Sequence, residues 1–172
     1  VPLVRQATDY TCGVGALQSV LGYFGEEFRE DELAKQLHSD AKDGTKVAEI
    51  VGFARKHGFN VTTKTGMTID DLKKLLNARN PVILLIQAWA QHKVNYKSDW
   101  DDGHYVVAVG YDSANLFFMD PSTLGNYTNI PLSEFVDRWH DTDGKTKLVH
   151  FGMILSKPGA PRYDSQEVKK MD

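Results

Sequence analysis

A chain of 172 residues, 41% of them apolar and 25% charged, has the size and balance of one globular domain, and the disordered, collagen-like and low-complexity classes are excluded. Its 20 basic and 23 acidic residues give a net charge of -3, with no basic stripe of the kind a nucleic-acid groove requires. The longest uncharged stretch, Tyr10 to Gly25, is too short and too interrupted for a membrane span, and a single cysteine, Cys12, rules out an internal disulfide or a Cys-rich zinc site.

Taken in chain order, Val14, Leu17, Val20, Leu21 and Phe24 have the spacing of a helix that buries one face, running from Cys12 to Phe24 and stopped by Gly25. Further helices are predicted over Arg29 to Leu37 and over Lys46 to His57, the latter with Val47, Ile50, Val51 and Ala54 inward and Gly58 as terminator. Asn60 to Thr65 reads as a short strand, and Thr68 as the N-cap of a helix over Ile69 to Leu76. Val82 to Ile86 is a buried strand; His104 to Tyr111 and Leu116 to Met119 form a hairpin about the turn-rich Asp112 to Asn115. A strand over Tyr127 to Ile130, a helix over Leu132 to Trp139 capped through Ser133, and a closing strand over Leu148 to Leu155 complete an α+β arrangement, helical first and mostly antiparallel afterwards. Residues 1 to 157 are expected to form the domain, and 158 to 172 a polar, loosely held tail. The chain opens Val1-Pro2-Leu3 without an initiator Met or a signal-like segment. That fits a soluble protein, cytoplasmic or exported after removal of a leader.

Cys12 stands at the predicted start of the first helix, where unpaired backbone N–H groups and the helix dipole favour an anion. Alone, a cysteine is usually a small core residue; its position makes it a candidate nucleophile. Gly13 and Gly15 each cost up to about 1 kcal/mol against Ala within a helix. They imply a close backbone approach, made either by something bound there or by tight helix packing.

A thiol nucleophile needs a base that returns its proton to the leaving group, and a third residue to orient that base. Of the six histidines, His38, His57 and His140 fall near predicted helix ends, His92 in a polar loop and His150 inside a strand. His104 opens an apolar strand directly after Gly103. Whether Asp120 can orient it is a matter of register. A two- or four-residue loop between Tyr111 and Leu116 puts Asp120 opposite Val107, on the wrong face. A three-residue loop centred on Ser113, or a bulge, pairs His104 with Ser122 and makes Asp120 a same-face diagonal neighbour, roughly 7 to 8 Å away at the backbone. Without either, Asp120 is an Asp-Pro turn residue. Gln6 offers an amide that, with the Cys12 N–H, would hold an oxyanion.

Other features are weaker. Asp99-Trp100-Asp101-Asp102 precedes Gly103-His104 and reads as a solvated loop, or as a charge favouring imidazolium or a cationic substrate. Trp89 and Trp100 are candidates for a cleft wall or for ordinary packing. Asp141-Thr142-Asp143-Gly144 lacks calcium-loop spacing, and no histidine pair has zinc-site spacing, so no metal and no cofactor is expected.

The run Gln6-Ala7-Thr8-Asp9-Tyr10-Thr11-Cys12-Gly13-Val14-Gly15-Ala16-Leu17, then Gly103-His104-Tyr105-Val106-Val107, then Met119-Asp120-Pro121, resembles the C39 family of papain-like cysteine peptidases over roughly Val1 to Leu155. Family members at the N-termini of bacteriocin exporters cut leader peptides after Gly-Gly. The resemblance implies a two-lobed papain-like α+β fold, Cys12 as nucleophile, His104 as general base and acid, Asp120 as orienting residue and Gln6 as oxyanion donor. With no membrane span and no P-loop in the sequence, it implies a stand-alone member whose partner is a peptide or protein substrate, a leader peptide being one option. A cysteine acyl transferase, amidase or deamidase on the same residues, and a non-catalytic leader-peptide-binding module, are the alternatives.

Overall fold

The computed structural model describes every residue except Leu124, Lys169 and Asp172. The elements are α1 (Cys12–Tyr23), α2 (Glu30–Gln36), α3 (Val47–Lys56), β1 (Asn60–Lys64), α4 (Ile69–Asn77), β2 (Val82–Gln87), β3 (Gly103–Tyr111), β4 (Asn115–Met119), β5 (Thr128–Pro131), α5 (Leu132–Arg138), β6 (His140–Asp143), β7 (Thr146–Val149) and β8 (Gly152–Ser156). Antiparallel pairing orders the main sheet β1-β8-β2-β3-β4-β5, and β6 and β7 form a separate hairpin.

Two apolar layers sandwich this sheet. On one face Val14, Leu17, Val20 and Leu21 of α1, Leu33 of α2 and Ile50 and Phe53 of α3 pack on Ile83, Leu85, Tyr105, Val107 and Met119. On the other, Leu72 of α4, Phe135 of α5 and Trp139 cover Val82, Leu84, Ile86, Val106 and Phe118. β2 lies between these layers and is buried along its whole length, which is why its sequence is a continuous apolar run. Each fully buried Leu, Val or Phe contributes roughly 1.5–3 kcal/mol of transfer free energy, so the α1 stripe fixes that helix rigidly against β3.

The predicted helix ends are found at Gly25 (φ +82°) and Gly58 (φ +81°), whose backbones occupy the left-handed region. Thr68 caps α4 in a full capping box with Asp71. Three expectations need correction. The cap of α5 is Pro131, with no side-chain hydrogen bond, so Ser133 does not cap it. Leu148 to Leu155 is not one strand: His150 adopts φ +50°, its N–H bonds to Trp139 O at 2.9 Å and its ring stacks on the indole at 5.0 Å, breaking the run between β7 and β8. The start of the tail is tied down, because the Arg162 and Tyr163 N–H groups both donate to Tyr23 O. No helix among the described residues is long and apolar enough to cross a membrane.

Candidate active site

The site lies where the N-terminus of α1 meets the ends of β3 and β4. Cys12 is the first residue of α1. The first intrahelical bond is from Gly15 N–H to Thr11 O, at 3.0 Å, which leaves the Cys12, Gly13 and Val14 N–H groups outside the ladder. The loop before it is knitted by Thr8 and Thr11: Thr8 N–H and Oγ1 both reach Thr11 Oγ1, at 3.2 and 3.1 Å. The glycines of the first turn serve packing. A Cβ at Gly13 would lie 2.7 Å from Thr45 Cβ, and one at Gly15 would lie 3.0 Å from Pro121 Cβ. The second approach seats α1 directly against the segment that carries Asp120.

His104 reaches Asp120 because of one extra residue in β3. Tyr111 pairs with Leu116 and Gly110 with Phe117, but Ala108 pairs with Phe118 and Val107 with Met119, so the register shifts between Ala108 and Gly110. The connection is a four-residue turn closed by Asp112 N–H to Asn115 O, the loop that by itself would place Asp120 opposite Val107. The bulge at Val109 reverses that outcome and brings Asp120 to the face of His104.

The ring of His104 is 6% exposed and Asp120 4%. His104 Nε2 lies 2.7 Å from Asp120 Oδ1, and Cys12 is near enough for its side chain to act on the titration of the imidazole. With Nε2 engaged by the carboxylate, Nδ1 is the nitrogen left for the sulfur. Burial pushes the imidazole down, but Asp120 and Cys12 outweigh it and raise the group to about 9. Burial likewise pushes the Asp120 carboxyl up, and His104, the Ser122 N–H and the Trp89 indole reverse this and hold it below the usual carboxylate range.

Asp120 is held on all sides. Oδ1 also accepts from Ser122 N–H at 2.9 Å, while Oδ2 accepts from Trp89 Nε1 at 3.0 Å and from Thr128 Oγ1 at 3.5 Å. Gln6 is fixed by its backbone N–H on Pro121 O at 3.0 Å and by its side chain, whose Nε2 donates to Thr8 O at 2.7 Å and whose Oε1 accepts from Ser122 Oγ at 3.2 Å. Ser122 Oγ is 3.4 Å from His104 Nε2 and so links the two. Cys12, His104, Asp120 and Gln6 thus converge.

The other histidines are occupied elsewhere: His38 pairs with Glu49, His57 stacks on Phe53 at 4.0 Å, and His140 holds Asp99 O at 2.7 Å. Trp89 is 57% exposed at φ +63° and borders a cavity of about 260 Å³ that Asp120 also lines. Trp100 packs on His140 at 4.4 Å beneath Lys147, facing the β6–β7 hairpin. Asp102 donates its backbone N–H to Gln87 Oε1 at 2.9 Å, and burial and the neighbouring Asp99 push its carboxyl up. Sequence reasoning missed Ser122 and Thr128 as partners of the site. It also missed Asp141, which β6 brings beside Gly103; Gly144, first residue of the two-residue Gly144-Lys145 turn at φ +60°, is the signal that marked that hairpin.

Residues 1–147 match the Peptidase C39-like family. Over 134 residues the chain is 25% identical to the pediocin PA-1 transport/processing ATP-binding protein PedD of Pediococcus acidilactici, covering 78% of this chain and 17% of that protein. It therefore spans about a sixth of the length of such transport/processing relatives. An uncharacterized protein of Methanothermobacter marburgensis is 30% identical over 120 residues, 70% of this chain and 71% of that one. In three dimensions the chain is similar to the peptidase domain of Streptococcus ComA, with TM-score 0.67, 21% identity and 90% and 97% of the two chains covered. It is equally similar to a putative C39-like peptidase from Bacillus anthracis, with TM-score 0.68, 18% identity and 91% and 94% covered. The fold is thus the α+β fold of C39 papain-like peptidase domains, and the chain belongs to the C39-like family of cysteine peptidases.

Proposed function

We propose that this domain hydrolyses peptide bonds, with Cys12 as nucleophile, His104 as general base and acid, Asp120 as its orienting carboxylate and Gln6 with the Cys12 N–H as oxyanion donors. The observation that carries this reading is the buried imidazole bonded to Asp120, with Cys12, the first residue of α1, close enough to shift its titration. The Cys12 thiol proton passes to His104 before the attack and is retained there by the raised imidazole, and the sulfur then adds to the carbonyl carbon. The resulting oxyanion is met by the Cys12 N–H and by Gln6 Nε2, which donates one hydrogen to Thr8 O and has a second to offer. His104 then protonates the leaving amine as the C–N bond breaks, giving a thioester. Water, deprotonated by His104, attacks that thioester, releases the carboxylic acid and restores the thiol.

The substrate is a peptide or protein. A leader peptide is one candidate, supported by the names of the transport/processing relatives and by a related double-glycine-motif protease solved with its leader peptide, of TM-score 0.62 and 18% identity. A peptide-library cleavage profile tests both reaction and specificity. Cys12→Ala is expected to abolish cleavage while circular dichroism stays native. Retained cleavage in that variant overturns the assignment.

A further inference from the structure

A second buried carboxylate stands beside this site. Asp141 of β6 is 7% exposed, and its side chain fills the space that a Cβ at Gly103 would occupy. It therefore lies against the backbone of the residue immediately before His104. Gln87, fully buried at the end of β2, fixes it there: Nε2 donates to Asp141 Oδ1 at 3.2 Å and to His140 O at 3.1 Å, and Oε1 accepts the Asp102 N–H at 2.9 Å. Because Gln87 pairs with Gly103 and Ile86 with His104, this clamp joins β2, β6 and the strand start that presents the imidazole. A glycine at position 103 is what makes room for it.

We propose that Asp141 is a positioning residue for His104, clamped by Gln87 so that it holds the start of β3 in place and sets a carboxylate near the ring. This inference rests on the pairing of His104 with Cys12 proposed above. Burial pushes the Asp141 carboxyl up to about 6, opposed by the Thr142 N–H, the Gln87 amide and the charge of His104. Attraction between two charges is mutual, so an ionised Asp141 favours imidazolium in return. The ionisable groups about it are His104 and Tyr105 of β3, Asp143 at the far end of β6, His140 preceding it, and Asp99 and Asp102 of the loop before β3. Tyr105 records the same neighbourhood: burial raises its hydroxyl, and Asp143, Cys12 and Asp141 raise it further.

The test follows the imidazole of His104 by NMR on the histidine-labelled chain, as a function of pH. In the wild type the His104 signal is expected to show its own midpoint near 9 and a smaller inflection near 6, where Asp141 ionises. Asp141→Asn retains the shape and a hydrogen bond to Gln87. It should remove the inflection and lower the His104 midpoint by roughly half a unit to one unit, the size of one nearby charge. Peptide cleavage at neutral pH should fall about three- to tenfold, in kcat more than in KM. Gly103→Ala, which displaces the carboxylate without removing it, should shift His104 in the same direction and decides the matter if Asp141→Asn does not fold. An unchanged His104 titration in the folded variants, with no wild-type inflection, overturns the proposal. Because the NMR readout needs no substrate, a chain that cleaves nothing yet shows the shift refutes hydrolysis and not the role of Asp141.

Discussion

Asp120 and Asp141 are both buried beside His104, and they respond to burial in opposite ways. Asp120 accepts from His104 Nε2, the Ser122 N–H, the Trp89 indole and the Thr128 hydroxyl, and its carboxyl is held low. Asp141 accepts from the Gln87 amide alone among the described side chains, and burial outweighs this and the opposing effect of the Thr142 N–H, raising it to about 6. The difference teaches that donor supply, not depth, decides whether a buried carboxylate is ionised. Asp120 is accordingly a permanent charge beside the imidazole, whereas Asp141 is one that ionises close to neutrality.

The sharpest way to break the comparison is to remove each charge isosterically. Asp120→Asn takes away the negative charge beside His104 and sets an amide NH₂ against one pair of the four donors, so peptide cleavage should fall by about 10²–10⁴-fold. Asp141→Asn should cost about tenfold or less. Equal losses in steady-state rates would show that the two carboxylates do the same work and would sink the distinction drawn here. Excising Val109 gives the contrasting case. Counting back from Tyr111 opposite Leu116, Ala108 then still pairs with Phe118 and Asp120 still falls opposite Val106, on the face of His104. The variant should keep most of its cleavage, unlike Asp120→Asn, and should change chiefly in Tm as the outer β3–β4 pairing is rebuilt.

This bulge also shows how far the sequence could be read. The arithmetic of alternation requires an odd loop or an inserted residue if Asp120 is to serve His104, and the structure uses the inserted residue at Val109. Cys12 at a helix start and His104 at a strand start were legible because both depend on local periodicity and on adjacent glycines. The split at His150 was not, because nothing in the local pattern of Leu148 to Leu155 requires a left-handed residue; a long-range bond to Trp139 O and the stacked indole hold it there. The donors to Asp120 were illegible for a similar reason, since Trp89 arrives from the segment after β2, 31 residues away, and Thr128 from the start of β5 across the β4–β5 connection. Asp141 is hidden because the Asp-Thr-Asp-Gly run is as close to a broken calcium loop as to a strand entering a hairpin, and only the pairing of Asp143 with Thr146 decides between them.

Stability against pH sharpens the comparison at smaller amplitude. Asp120 has a folded-state pKa below its unfolded value, so its stabilising contribution is complete above the unfolded value of about 3.9 and is lost as pH falls through the folded one. Asp141 has the opposite sign. Its folded pKa, about 6, exceeds the unfolded one, so its contribution is complete below about 3.9 and disappears as pH rises through 6. In calorimetric scans, the wild type should gain Tm relative to Asp141→Asn on going from pH 7 to pH 4, and lose Tm relative to Asp120→Asn on acidification below pH 4. His104, raised to about 9, contributes stability that is complete below its unfolded value near 6.5 and fades as pH climbs through 9 in the wild type, and at lower pH in both variants. Parallel profiles for the two variants would mean that burial, and not donor supply, sets both carboxylates.

The smallest expected effect comes from trimming a single donor. Trp89→Phe deletes the indole N–H from Asp120 Oδ2 and leaves the other three donors in place. The ring is 57% exposed, so little buried area is lost, and the left-handed backbone at φ +63° is no easier for Phe than for Trp. One hydrogen bond to a charged group is worth about 1.5–3 kcal/mol when its loss is uncompensated. Here Thr128 Oγ1, at 3.5 Å, can close on the vacated oxygen, and the exposed edge admits water, so only part of that energy should be felt. Cleavage is expected to fall about two- to fivefold, with the His104 midpoint moving slightly down as Asp120 becomes a weaker partner. A loss as large as that of Asp120→Asn would instead place the indole at the substrate, on the rim of the cavity it borders, rather than behind the carboxylate.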